Sequence, residues 1–174
     1  AMKYVVPVLL LLLIAKQQFA QENPSDVTIW SDDFSNSYWW SAHQSEDLFP
    51  CGLWTISANG PTGEFSHFMG KIISESSNNG FAIFDSEAVG TPNYPQDSWI
   101  EYNYSFDCFG SERVILYFQS YYQHKNGSCF LEVSNNSGYT WTSYPVHEDM
   151  FYSECSYNPS YVGVDISTVA ANKH

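Results

Sequence analysis

Acidic side chains stand where short apolar segments begin or end, and they are the residues of this sequence best suited to bind a metal ion. Asp32 and Asp33 follow one such segment, Asp85 and Glu87 follow a second, and Asp97 precedes a third. Carboxylate oxygens in irregular loops are ligands that calcium accepts. The pattern predicts structural calcium at these five residues, with solvated acidic loops as the alternative.

Aromatic side chains are the second group that could do chemistry, and they make up 18% of the chain. Sugars stack their apolar faces on Trp and Tyr rings, while neighbouring polar groups bind the hydroxyls. The candidates for such a surface are Trp39, Trp40, Trp54, Tyr94, Trp99, Tyr121 and Tyr122. The alternative is that these rings fill the core of the domain.

The four cysteines are candidates for disulfides: Cys51, Cys108, Cys129 and Cys155. Four cysteines allow three pairings, and the sequence does not choose among them. Buried free thiols are the alternative. No two of them form a CxxC pair, which argues against a zinc site.

Catalytic motifs find little support in the sequence. It contains no HExxH or GxSxG segment and no glycine-rich phosphate loop. Glu101 and Glu132 lie in predicted strands and could face one another, as a pair of glycosidase carboxylates would. No glycosidase strand motif surrounds them, so we expect a protein that is not an enzyme.

The first 20 residues have the layout of a secretory signal peptide. Met2 and Lys3 precede an apolar run over residues 5–14, and Phe19-Ala20 offers a cleavage site before Gln21. The run is too short to cross a bilayer, which needs roughly 20 apolar residues. We therefore predict a signal peptide at 1–20, one domain at 21–174, and a secreted or cell-surface location without a membrane span in the mature chain.

The mature chain is strongly acidic. Removal of residues 1–20 leaves four basic residues against 19 acidic ones, a net charge of −15. Such a charge repels nucleic acid and anionic membranes, but is compatible with cations and neutral glycans.

Short β-branched or aromatic runs separated by Gly, Pro, Asn, Asp and Ser predict the elements that position these residues. The predicted strands are residues 27–31, 53–57, 80–85, 98–107, 113–122, 128–134, 140–144 and 161–166, and residues 167–172 could form a helical turn. Side chains alternate between the two faces of a strand. Val114, Leu116 and Phe118 should therefore share one face. This pattern predicts an all-β sandwich.

A hairpin motif occupies residues 134–141, with the sequence Ser-Asn-Asn-Ser-Gly-Tyr-Thr-Trp. Gly138 suits a tight turn, and Asn136 can bond turn amides. The segment resembles the Asp-box hairpin of sialidases and other secreted β-proteins, with Asn136 in place of the Asp. That motif is structural, and Arg113 alone cannot supply the arginine cluster of a sialidase.

A wider pattern covers most of the mature chain. Its pieces are residues 29–35, 80–87, 96–101, 114–122, 131–141 and 164–171. In this order they resemble the MAM-like, cleaved-adhesin-like modules of secreted Bacteroidetes proteins. The resemblance implies a concanavalin-type jelly-roll β-sandwich, often with structural calcium. The closing strand pair of that family is missing after residue 171, so we expect a fragment or a last strand supplied from elsewhere.

Together these patterns predict a non-catalytic extracellular adhesion or carbohydrate-binding module, whose partner is a glycan or an extracellular protein. Two alternatives stay open. The chain could be an ancillary structural domain of a secreted hydrolase, or a small glycoside-active enzyme.

Overall fold

The protein is built from strands and turns, with almost no helix, which confirms the all-β prediction. The computed structural model describes residues 26–46, 52–88, 95–125 and 127–173. The predicted signal peptide lies outside these ranges, as do Cys51 and Tyr94.

Eight strands and one short helix follow one another along the described chain. They are β1 (Trp40–Gln44), β2 (Thr55–Ser57), β3 (Phe81–Ile83), β4 (Ser98–Tyr102), β5 (Ile115–Ser120), β6 (Cys129–Val133), β7 (Thr142–Val146), β8 (Ser160–Asp165) and α1 (Ser167–Ala170). Two 3-10 turns, Ser37–Trp39 and His67–Met69, precede β1 and β3.

The described strands pair as four antiparallel two-stranded ladders: β1 with β4, β2 with β3, β5 with β8, and β6 with β7. In the first ladder His43 lies opposite Trp99. In the third, Tyr117 lies opposite Gly163 and Gln119 lies opposite Tyr161. These registers decide which side chains meet on the outer faces.

All four ladders contribute side chains to one apolar core. Its buried members include Phe81 from β3, Phe118 from β5, Cys129 from β6 and Val146 from β7, and Ile100 of β4 packs against them. Burial of this much aromatic and aliphatic surface is the main force that brings the ladders together. The β1–β4, β5–β8 and β6–β7 ladders keep exposed side chains such as Trp99, Tyr117 and Phe130, whereas all three residues of β3 are buried.

Strand β5 has the alternation that the sequence predicts, with one exception. Val114 and Phe118 are buried and Tyr117 is exposed, as expected for opposite faces. Gln119 shares the face of Tyr117, yet only 4% of it is exposed.

A second, smaller core closes one end of the described chain. Cys108, Val114, Ile166 and Ala170 form it. The amide of Cys108 donates to the carbonyl of Lys173 at 2.8 Å, so the helical turn after β8 is tied back to the loop before β5. The turn predicted at 167–172 is confirmed over Ser167–Ala170.

The prediction of a strand at residues 27–31 is wrong, and a strand at 40–44 was missed. The indole of Trp30 packs against Tyr102 and Phe106, with ring centroids 4.8 and 5.3 Å apart, although its backbone joins no ladder. Strand β1 instead pairs with β4. Its sequence, Trp-Ser-Ala-His-Gln, is too polar to mark it as a strand.

Two strand ends also differ from the prediction for local reasons. β4 ends at Tyr102 because its partner begins at Trp40, and Asn103 then bonds the backbone of Trp39 at 2.8 Å. β7 begins at Thr142 because the preceding hairpin turn uses the amide of Thr140.

Candidate functional site

Asp85, a predicted calcium ligand, organises the loop at residues 62–66. Its Oδ2 accepts hydrogen bonds from the amides of Thr62 and Gly63 at 2.6 and 2.9 Å. Its Oδ1 accepts one from the hydroxyl of Ser66 at 2.7 Å. Burial acts to raise the pKa of Asp85, but these donors outweigh it and the pKa lies below its ordinary value.

Glu87 supports the same loop from the neighbouring turn. Its Oε2 accepts from the amide of Phe65 and its Oε1 from the ammonium of Lys125, both at 2.7 Å. The backbone approaches closely here: a Cβ on Gly63 would lie 2.5 Å from Cβ of Glu87. All four oxygens of Asp85 and Glu87 therefore have protein donors.

Asp32 differs because one of its oxygens makes no close hydrogen bond with a described residue. Its Oδ1 accepts from the amide of Phe34 at 2.5 Å, while its Oδ2 is buried without such a bond. Burial raises its pKa, and the amide of Phe34 and the equally buried indole N–H of Trp40 are the donors that oppose the rise. Asp33 uses both oxygens, one for the amide of Ser35 at 3.0 Å and one for Asn79 at 2.7 Å.

Asp97 lies at the start of β4, where its carbonyl accepts from the amide of Ser45. Within the part of the chain that the structure describes, no three His, Cys, Asp or Glu side chains are grouped as metal ligands. Asp85 and Glu87 follow β3. The side chain of Gln96, next to Asp97, donates to the carbonyl of Ser86 at 2.9 Å. The predicted calcium ligands nevertheless form no group of three within the described ranges.

The predicted aromatic ligands also separate by environment. Tyr122 is buried in the core, and Tyr121 is half-buried with its hydroxyl donating to the carbonyl of Met69 at 3.4 Å. Trp40 packs on Phe34, with centroids 4.8 Å apart. Trp40 and the buried Trp54 line a cleft of about 180 Å³ between β1, β2 and β4.

Trp99 is the predicted aromatic that projects from the outer face of a ladder. Its indole stacks on the imidazole of His43, with centroids 5.3 Å apart and planes 16° apart. Nε2 of His43 lies 3.8 Å from Oε2 of Glu101, on the same face. Trp99 remains 42% exposed. Trp39 is also partly exposed and meets Tyr102 edge-on, with ring centroids 6.5 Å apart.

A serine–histidine pair that the sequence did not reveal lies at the ends of β5 and β7. Oγ of Ser120 and Nε2 of His147 are 2.7 Å apart, and the His147 ring stacks on Tyr122 with centroids 5.3 Å apart. Burial lowers the pKa of His147, which favours the neutral ring. Ser120 has no exposed surface, and the two residues are 27 positions apart in the sequence, so they form no local motif.

A cavity of about 180 Å³ lies beside His147, with Tyr122, His124, Cys129 and Glu148 among its walls. Burial raises the pKa of the Cys129 thiol to about 12 and also raises that of Cys108. Such thiols are unreactive at neutral pH. All three cysteines that the structure describes, Cys108, Cys129 and Cys155, are free thiols.

The hairpin at residues 134–141 forms as predicted. Oδ1 of Asn136 accepts from the amide of Thr140 and the hydroxyl of Ser134, both at 2.9 Å. Gly138 has φ 81° and lies beneath the ring of Trp141. The motif is a self-contained turn and presents no catalytic group.

Comparison with family models, curated proteins and solved structures finds no match for this chain. Among the described residues, no helix has the length and apolar character needed to span a membrane.

Proposed function

We propose that this protein is a non-catalytic extracellular module that binds carbohydrate through the outer face of β1 and β4. The observation that carries the proposal is the Trp99–His43–Glu101 group. His43 packs on the indole and lies beside Glu101, so the indole is fixed in place while 42% of Trp99 stays exposed. A fixed, exposed ring beside a carboxylate offers a sugar both a stacking surface and a hydroxyl acceptor.

The overall charge supports a neutral glycan as the ligand. The full chain carries a net charge of −13, so polyanions such as nucleic acid or acidic glycans would be repelled at long range. Binding of a neutral sugar depends on stacking and hydrogen bonds and is little affected by this charge.

The surroundings of the side chains that could act as a nucleophile or as catalytic carboxylates support a binding function over catalysis. Ser120 and His147 have the spacing of a nucleophile and its base, but Ser120 is wholly buried. Glu101 and Glu132 lie on different ladders, and Glu132 accepts a hydrogen bond from Ser143.

The finer architecture is part of the same proposal. We take the four ladders to be portions of a jelly-roll sandwich of the MAM-like type, because all of them cover one core. We also propose export, with cleavage after Ala20. Amino-terminal sequencing of the protein recovered from the medium should then begin at Gln21.

Structural calcium is proposed at Asp32, whose buried Oδ2 makes no close hydrogen bond with a described residue and has the indole N–H of Trp40 as its nearby donor. A cation would neutralise the carboxylate, which an indole N–H does not do. Calcium should raise the melting temperature of the wild type but not that of Asp32→Asn. Equal melting curves in calcium and in a chelator would exclude this site.

Affinity electrophoresis through gels containing soluble neutral polysaccharides tests the binding function. At least one of β-glucan, mannan, galactomannan and xyloglucan should retard the wild type, and Trp99→Ala should reduce the retardation. Tyr139→Ala is the matched control, because it removes a ring that is 87% exposed on another hairpin. Equal retardation of Trp99→Ala and the wild type would contradict the proposed face.

A further inference from the structure

The outer face of β5 and β8 carries a row of side chains that none of the preceding assignments uses. On β8, Tyr161, Gly163 and Asp165 alternate outward with three half-buried residues. Residues two apart on a strand are separated by about 6.5 Å. The row thus extends over roughly 13 Å along the strand, which is long enough for more than one sugar ring.

The ring of Tyr117 fills the gap in this row that Gly163 leaves. A Cβ on Gly163 would lie 2.7 Å from Cε1 of Tyr117 and 3.0 Å from Cδ1. The ring therefore lies over the glycine backbone, between Tyr161 and Asp165. Because Tyr117 is 53% exposed and Tyr161 68%, two rings at neighbouring positions of one ladder are open to solvent.

Polar groups lie at both ends of the two rings. At one end Nε of Arg113 donates to Oδ2 of Asp165 at 3.3 Å, and the Arg113 side chain is 71% exposed. Its terminal N–H groups bond no described residue, so they can donate to a ligand. At the other end is Gln119, which faces Tyr161 across the ladder.

Gln119 supplies an independent sign of a missing partner. The residue is 96% buried, and its Oε1 makes no hydrogen bond with any residue that the structure describes. A buried acceptor without a donor is unfavourable, and native proteins seldom leave one unpaired. Because that oxygen has no access to solvent, the side chain must turn outward to meet a donor from a hydroxyl-rich ligand on this face.

We propose that Tyr117, Tyr161, Gln119, Arg113 and Asp165 form a second carbohydrate-binding face, which takes a neutral pyranose chain lying along β8. The two tyrosines stack sugar rings. The Arg113–Asp165 pair binds hydroxyls at one end, and Gln119 turns outward to bind them at the other. The positive and negative charges of that pair offset each other, so the face itself is neutral and matches an uncharged glycan. This inference rests on the proposed carbohydrate-binding function and makes the module bivalent.

The test compares the two faces on the same panel of neutral polysaccharides. Tyr117→Ala and Tyr161→Ala should each weaken binding about tenfold, the equivalent of one lost stacking contact. Gly163→Ala is the most specific variant, because it keeps both tyrosine rings while its methyl group displaces the Tyr117 ring from the backbone of residue 163. It should weaken binding as Tyr117→Ala does, while Tyr139→Ala should not.

Binding that falls with Trp99→Ala but not with the Tyr117, Tyr161 or Gly163 variants would overturn this inference and leave the first face standing. Binding that falls with the Tyr117, Tyr161 and Gly163 variants but not with Trp99→Ala would support the second face and refute the first. Reduction by variants of both faces supports bivalency, and a wild type that no neutral polysaccharide retards overturns both.

Nuclear magnetic resonance of the unmodified protein avoids any loss of folding in the variants. Adding a soluble oligosaccharide of the retarding type should shift the backbone amide of Gly163 and the side-chain amide of Gln119. Unchanged signals at both positions under saturating sugar would also overturn the inference.

Discussion

The hairpin at Asn136 and the loop at residues 62–66 are organised in the same way, but over different sequence distances. In each, one side chain accepts hydrogen bonds from loop donors. Asn136 bonds Ser134 and Thr140, two and four residues away. Asp85 bonds Thr62, Gly63 and Ser66, between 19 and 23 residues away. The first forms from local contacts, whereas the second needs the folded core.

This difference in sequence distance decides what the sequence reveals about each region. A turn that bonds within itself leaves a motif, so the sequence predicts the roles of Asn136 and Gly138 in the hairpin. An aspartate whose donors are 19 to 23 residues away looks like any acidic loop residue, so the sequence predicts metal binding there instead. Carboxylates serve either purpose with the same oxygens.

The largest effect should follow from removing the non-local acceptor. We expect Asp85→Ala to lower the free energy of unfolding by about 3 kcal/mol, because three donors lose a charged acceptor at once. Asp85→Asn should cost less, since one carboxamide oxygen can still accept. Urea denaturation measures the free energy of unfolding of both variants. If Asp85→Ala destabilises the protein less than Asn136→Ala does, the non-local acceptor is not the more important of the two.

Replacing the glycine of each region with alanine should destabilise the protein by a different amount and for a different reason. Gly63→Ala places a Cβ 2.8 Å from the carbonyl carbon of Glu87, so the backbone must move, at about 2 kcal/mol. Gly138→Ala meets nothing closer than 3.5 Å and is strained only by its φ of 81°, at about 1 kcal/mol. Denaturation curves of the two variants should rank them in that order.

Acid should weaken the other non-local pair, Ser120–His147. The pKa of folded His147 lies below its ordinary value of 6.5, so protons bind the unfolded chain more readily. The contribution of neutral His147 to the free energy of unfolding is therefore fully present above about pH 6.5, and it is lost as the pH falls toward the folded pKa. Urea midpoints between about pH 7 and 5 should fall more for the wild type than for His147→Gln. Parallel curves would show that His147 is not responsible.

Local patterns predict the all-β class, most strands, and the shared face of Val114 and Phe118. The sequence did not reveal β1, because its burial depends on Trp30, Phe34 and Tyr102, which come from outside the strand. Trp99 lies on a strand, as the sequence predicts, but the His43 ring that stacks on it comes from a strand more than 50 residues earlier. The Tyr117 face was missed because a glycine opposite a tyrosine is visible only once the register is known.

The smallest effect is expected for Asn136→Asp, which restores the residue usual in the resembling hairpins. Oδ1 of Asn136 accepts from Thr140 and Ser134, and an aspartate oxygen can do the same. Nδ2 donates to Oγ1 of Thr140 at 2.8 Å, and there the direction reverses, with the threonine hydroxyl donating to the carboxylate. We expect a change within about 0.5 kcal/mol by urea denaturation, against about 1 kcal/mol for Asn136→Ala. If Asn136→Asp costs as much as Asn136→Ala, the amide N–H is essential, and the hairpin differs in mechanism from the motif that it resembles.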